Sequence, residues 1–445
     1  MIVRDIKRLA LILAPSLLLI LISFNYWDQS QANPLRSQLS EWWQGSGGSD
    51  FAEGLDSSAA AGDAPERTAP PEAFPGDGTG DSTHYIISSR SRPDGRYFDI
   101  DFGGVAAINP NLIPHPRQND SWYIVAQKDM AVKEAAYFSE IYCTASFQSD
   151  HVLRCTDKPY NLPVSASFTD KCEEGLGFIP LNVGPHDARV FFGPEKPLIT
   201  YGSNSAFTCF GQFVQDFRIL VEWGIVFYNE EVFRSGTELQ RPKPWHQVEK
   251  NFFIFWDKDG QMYVHNDVWP KRVFAKLAAD GSVGRDLGPR AASSDARCMA
   301  KYFPKLGKDL ESIHQSTNSL SITLCNRADP ACQPDDTNTF LFTIIQHKMH
   351  YNHHSTYEPF VMLYQRRAPF ELYAVSTKPM WIQGRKASNE MFYVTSVSWK
   401  GHDHKYHGYL DDELFLGFGI EDKYTAGMDL LAGDLLKGLG LCAGL

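Results

Sequence analysis

Beyond residue 84 the chain is a series of short apolar runs, and long helical periodicity is scarce. Trp122-Tyr-Ile-Val-Ala, Val190-Phe-Phe, Leu198-Ile-Thr-Tyr, Ile219-Leu-Val, Ile225-Val-Phe-Tyr, Phe252-Phe-Ile-Phe-Trp, Met262-Tyr-Val, Leu320-Ser-Ile-Thr-Leu and Phe340-Leu-Phe-Thr-Ile-Ile are β-branched or aromatic. Gly, Pro, Asn and Asp bound them, which is the pattern of strands. Three helices are expected, near Asp129–Ser139, Ala296–Tyr302 and Leu430–Leu441. An all-β body of this length must hide its sheet edges, as a sandwich, a β-helix or a propeller does.

Five segments share a loose plan of a polar opening, a strand, a turn and a second aromatic strand. They open at Asn109, Pro185, Glu249, Tyr357 and Phe392, and their second strands begin at Ser121, Leu198, Gln261, Phe370 and Asp412. This repetition predicts a five-bladed β-propeller over residues 84–445.

A different pattern precedes it. Arg4, Lys7 and Arg8 lead into an apolar run from Leu9 to Phe24, closed by Tyr26 and Trp27. Such a run is long enough for a hydrocarbon core about 30 Å thick, with the basic side cytoplasmic. Pro15 and the shortness of the run leave a cleaved signal peptide open, although no small-x-small site follows Phe24. The expected plan is a cytoplasmic tail (1–8), a transmembrane signal anchor (9–27), a disordered Gly/Ser/Pro-rich stalk (28–83) and a lumenal catalytic domain (84–445). That plan places the body outside the cytosol, in the Golgi membrane or at the cell surface.

Charge and cysteines refine the picture. The net charge of −11, without a basic stripe, excludes nucleic acid as a partner. Eight cysteines suit an oxidising compartment. Cys325 and Cys332 flank a turn-like loop and are expected to pair, and Cys143 with Cys155 would close a hairpin. The connectivity of Cys172, Cys209, Cys298 and Cys442 stays open. Asn119-Asp120-Ser121 is a glycosylation sequon.

Three short motifs, in order, resemble those of a known group. Asn109-Pro110, then Asp187-Ala188-Arg189-Val190, then Glu249-Lys250-Asn251 are similar to the motifs of the five-bladed propeller glycosidases and phosphorylases acting on β-mannosides. The anchored plan also resembles fungal β-1,2-mannosyltransferases, which are type II Golgi enzymes. The first group has an acidic residue before the aspartate and a proline after it. This chain has His186 and Ala188, which leaves its substrate and donor open. The resemblance implies that Asp187 is the proton-transferring carboxylate, relayed through a sugar hydroxyl.

The residue chemistry gives each candidate a task. A shielded carboxylate at Asp187 can give or take a proton at a glycosidic oxygen. The guanidinium fork of Arg189 suits a phosphate or diphosphate, and a blade-to-blade ion pair would suit it equally. Lys250, Asn251 and Asn109 can hold sugar hydroxyls or an anion, and Glu358 and Asp412 can add carboxylates at the rim. The histidine groups His347, His350, His353, His354 and His402, His404, His407 lack helical metal-ligand spacing. Asp99-Ile-Asp101 and Asp257-Lys-Asp259 are the D-x-D patterns that would bridge Mn²⁺ to a diphosphate, and the second reads as a hairpin turn. No cofactor or metal is therefore expected, the donor being a nucleotide sugar or sugar phosphate.

The main expectation is a Golgi type II membrane glycosyltransferase that moves a sugar, mannose by resemblance, from an activated donor to a glycan acceptor. It would invert configuration, with Asp187 as base. The alternatives are a β-mannoside hydrolase or phosphorylase of the same fold, or a non-catalytic carbohydrate-binding surface protein.

Overall fold

The computed structural model describes residues 83–128, 137–173, 175–224, 232–307, 311–351, 354–403 and 406–443. The expected tail, anchor and almost all of the stalk lie outside the described residues, as does most of the Asp129–Ser139 helix. Among the described residues no helix is long and apolar enough to cross a membrane.

These residues form an all-β body. After β1 (Phe98–Asp101), the first antiparallel meander runs β2 (Ala107–Pro114), β3 (Trp122–Lys128) and β4 (Glu140–Phe147). The second runs β5 (His186–Phe192), β6 (Pro197–Asn204), β7 (Phe210–Asp216) and β8 (Thr237–Leu239). The third runs β9 (Phe253–Trp256), β10 (Met262–Asp267) and β11 (Val273–Lys276). Helix α1 (Gly288–Tyr302) and β12 (Glu311–Gln315) lead into the fourth. That meander is β13 (Leu320–Thr323), β14 (Thr339–Tyr351), β15 (His354–Gln365) and β16 (Leu372–Ser376), with β12 also paired to β14. The fifth is β17 (Phe392–Trp399), β18 (Glu413–Ile420) and β19 (Tyr424–Leu431).

The fifth meander is completed by β1, which pairs with β19 through Phe98 and Gly427. Early and late parts of the chain therefore share one sheet. Gly427 is required there, because a Cβ would lie 2.7 Å from the Phe98 ring.

Two sequence expectations are corrected. Segments Tyr357–Leu363 and Phe370–Ser376 are the third and fourth strands of their meander, not the first two. Its opening strands are the apolar runs at Leu320 and Phe340, hidden in a gap that also holds α1 and β12. The Leu430–Leu441 helix is instead the end of β19, one turn at Ala432–Leu435 and a strand at Leu439–Leu441. Gly438, in the left-handed region, separates the turn from that strand. The Ala296–Tyr302 helix exists and begins earlier, at Gly288.

β2, β9 and β13 are buried along their whole length. β2 lies against both β5 and β17. Buried amides stitch these strands together where no sheet pairing exists. Asn111 donates to Ala188 O (2.8 Å) and accepts from Val190 N (3.1 Å). Asn318 donates to Val397 O (3.1 Å), and Thr395 Oγ1 donates to Pro110 O (2.6 Å). A fully buried amide is retained only when its groups are paired, so these bridges fix how neighbouring meanders approach.

Both expected disulfides are present, Cys143–Cys155 and Cys325–Cys332, and the open four resolve as Cys172–Cys209 and Cys298–Cys442. Asn119 of the sequon lies exposed in the β2–β3 turn.

Candidate active site

Three opening segments carry the same backbone device. Asn109, Asp187 and Asn251 all have positive φ, at 57°, 48° and 60°. The first two sit in register shifts, between Ile108 and Asn111 and between His186 and Arg189. Asn and Asp tolerate this left-handed geometry better than other residues with a Cβ, which accounts for those residue types. A bulge of this kind re-aims a side chain at the end of a strand. Carboxamides of the preceding meander receive the displaced amides: Asp187 N–H donates to Gln127 Oε1 (2.9 Å) and Asn251 N–H to Gln212 Oε1 (3.1 Å).

The Asp187 carboxylate is partly exposed and pinned on one oxygen by Asn109 Nδ2, at 2.7 Å. Arg189 is buried. Its Nη1 donates to the carbonyls of Asp187 and Ala188, and its Nε to Ser316 O. The guanidinium also lies 5.7 Å from the Tyr393 ring centre. Lys250 lies close enough to Asp187, Arg189 and Lys348 for their charges to act on it. Loss of hydration first, then Lys348 and Arg189, pulls its ammonium down to about 7, while Asp187 opposes the fall.

Aromatic rings wall the cluster. Tyr357 and Tyr393 meet edge to face at 4.8 Å, and His314 lies 6.1 Å from each. Burial, then Lys348, Lys250 and Arg189, drives His314 down to about 3, so it is neutral at physiological pH. Burial raises the Tyr393 hydroxyl, with Asp187 and Asp422 adding to the rise and Arg189 opposing it. The cluster thus holds one proton-transferring candidate, the cationic side chains Arg189, Lys250 and Lys348, and rings of the kind that sugar faces stack on.

Sequence reading named Asn109, Asp187, Arg189, Lys250 and Asn251; the structure brings the first four together, and Asn251 follows Lys250 with its N–H on Gln212. Glu358 and Asp412 it does not bring there. Tyr357 faces Tyr393 and His314, so Glu358, the next residue on β15, points to the other face of its sheet. There it pairs with Arg385 (3.1 Å) and His84 (3.0 Å). Asp412 precedes β18, whose far end leads to Asp422 near Tyr393, and it is bound by Arg327 at 2.7 Å. Both carboxylates serve ion pairs that hold the fold.

His186, where the resembled motif is acidic, is a packing residue 3.8 Å from the Phe138 ring and 5.5 Å from Phe210. Burial, then Lys250, lowers its imidazole to about 3. The D-x-D patterns hold turns and ion pairs. Asp101 binds Arg154, and Asp257 accepts the Asp259 and Gln261 amides. His347 meets Glu311 at 2.8 Å, and His353 and His404 lie outside the described residues. Among the described residues no group of His, Cys, Asp or Glu is placed to hold a metal ion.

Sequence reading missed Gln127, Glu140, His314, Lys348, Tyr357 and Tyr393. They come from several strands spread along the chain, and only Tyr357 and Tyr393 stand at the opening of a recognised repeat.

No family model matches the chain, and no curated protein matches it. Solved structures similar to it include a glycosyl hydrolase from Bacteroides ovatus, at 10% identity and TM-score 0.41, covering 82% of this chain and 96% of that one. A thermostable family-43 glycoside hydrolase gives 11% identity and TM-score 0.37, covering 74% and 90%. A structure described under the GH130 family of mannoside phosphorylases, which contains hydrolases targeting β-1,2 mannosidic linkages in Candida mannan, gives 12% and 0.39, covering 84% and 99%. Likenesses of this size carry no functional argument.

Proposed function

We propose that this chain is a carbohydrate-active enzyme that cleaves a glycosidic bond with phosphate, and forms it in the reverse direction. The carrying observation is a pinned, partly exposed carboxylate, Asp187, with the cationic side chains of Arg189, Lys250 and Lys348 clustered around it. In phosphorolysis a phosphate oxygen attacks the anomeric carbon. The bond to the leaving oxygen breaks, its electron pair stays on that oxygen, and Asp187 supplies the proton. The products are a sugar phosphate of inverted configuration and a free hydroxyl. In reverse, Asp187 takes the proton of the acceptor hydroxyl. The cations hold the phosphate in both directions. That mannose is the sugar rests on the sequence resemblance.

In the same reading the five meanders are blades of a propeller, with the mouth at the starts of β2, β5 and β9. Four disulfides and an exposed sequon support an oxidising compartment, with residues 9–27 as anchor.

Incubation with β-mannosides, with and without inorganic phosphate, tests the reaction. Sugar phosphate is expected only when phosphate is present. Equal release of free sugar without phosphate would identify a hydrolase, and consumption of a nucleotide sugar would identify the glycosyltransferase expected from the anchored plan.

The anion site makes a separate prediction. Sulfate stays doubly charged near neutrality and isolates the protein's own titration. Its affinity should fall as pH rises through 7, because Lys250 loses the charge that holds it. His314, already neutral, does not contribute, and Glu140, near 8, adds to the slope only higher up. Lys250→Met should flatten the dependence between pH 6 and 7.5 in calorimetric titrations. A slope unchanged by that substitution would remove Lys250 from the site.

A further inference from the structure

Ala188 stands where the resembled motif has proline, and the difference supplies an N–H. That N–H donates to Glu140 Oε1 at 3.0 Å. Glu140 has no exposed surface, and its Oε2 has no hydrogen-bond partner among the described residues. On the sheet, Glu140 of β4 is the direct cross-strand partner of Gln127 of β3. Gln127 receives the adjacent amide, that of Asp187. Two neighbouring side chains of the first meander therefore grip two consecutive amides of the second, at the residue with φ of 48°.

We propose that Glu140 and Gln127 form a clamp that positions Asp187 for proton transfer. The proposal rests on the reading of Asp187 as the proton-transferring group. The clamp fixes the backbone, and Asn109 fixes the carboxylate. A left-handed aspartate is a strained choice that neighbours must over-determine. Misplacing a reacting group by about 1 Å costs on the order of 10²-fold in rate. Burial, with Asp187 adding to it, pushes the Glu140 carboxyl up to about 8. It is therefore a neutral acid near pH 7 and adds no negative charge behind Ala188. Glutamine, which keeps the acceptor oxygen and never ionises, should replace it well.

The test combines steady-state phosphorolysis with amide hydrogen exchange on the full chain. Glu140→Ala should lower kcat about 10²-fold with KM changed less than about threefold, and Glu140→Gln should restore most of it. Exchange at the Ala188 amide should accelerate at least about tenfold in Glu140→Ala and stay slow in Glu140→Gln. Ala188→Pro removes the donor, so adding Glu140→Ala to it should cause little further loss, a non-additivity that a double-mutant cycle reads. Gln127→Ala, a milder change, should give the same kcat-selective loss if Glu140→Ala folds poorly. Full kcat in Glu140→Ala, unchanged exchange at Ala188, or failure of glutamine to rescue would overturn the clamp. A wild-type protein without turnover overturns the reaction reading instead, and exchange at Ala188 still decides the clamp.

Discussion

Asp187→Asn is expected to lower turnover by about 10²–10⁴-fold, the range set by loss of general acid–base catalysis. Asparagine keeps an oxygen for Asn109 Nδ2, keeps the N–H that donates to Gln127, and tolerates the left-handed backbone. The fold should therefore survive, and the thermal midpoint should stay close to that of the wild type. Asparagine cannot exchange a proton, so the loss should appear in kcat, while sulfate should still bind at Arg189 and Lys250. Rates measured on β-mannosides with phosphate, beside a melting curve, settle the point. Wild-type turnover in the variant would exclude Asp187 as the proton-transferring group, and the proposed chemistry with it.

The largest expected effect on stability lies elsewhere. Asp295→Ala should destabilise the protein by about 3–5 kcal/mol, the usual cost of removing one partner of a buried ion pair. Asp295 Oδ2 lies 3.0 Å from Arg272 Nη1, and both side chains are almost fully buried. Its other oxygen accepts the Leu372 amide at 2.8 Å, tying helix α1 to β16. Arg272 also donates to Phe370 O and to His265 Nε2, and it sits over the Phe274 and Tyr364 rings. Burial first, then Arg272, holds His265 well below its ordinary value, which leaves Nε2 free to accept. Removing the carboxylate strands a guanidinium without its counter-charge. Denaturant midpoints measure the loss. The double variant Arg272→Met/Asp295→Leu should lose less than Asp295→Ala, since the stranded charge is then gone. A loss below about 1 kcal/mol in Asp295→Ala would show that the pair sits in water after all.

These two sites were legible in the sequence to different degrees. The proton-transferring candidate stood out through resemblance, because Asn109-Pro110, Asp187-Ala188-Arg189 and Glu249-Lys250-Asn251 follow the order of a known group's motifs. The left-handed bulges explain those residue types physically. Arg272 and Asp295 did not stand out, since nothing local distinguishes a buried ion pair from two ordinary surface charges.

Short apolar and aromatic runs bounded by turn residues determined most of the strands by themselves; Ile219-Leu-Val is instead the end of a 3-10 turn at Phe217–Ile219, and the run from Ile225 lies outside the described residues. Loop proximity determined two disulfides as well: closing seven or twelve residues requires no knowledge of the fold. The tertiary structure alone decided which faces meet. A strand's residues point alternately to two sides; register within a meander sets which side each one takes, and the packing of meanders far apart in the chain decides what that side meets. Together they turn Tyr357 toward Asp187 and Glu358 toward Arg385, put Asp412 at the far end of its strand, and set Glu140 behind Ala188.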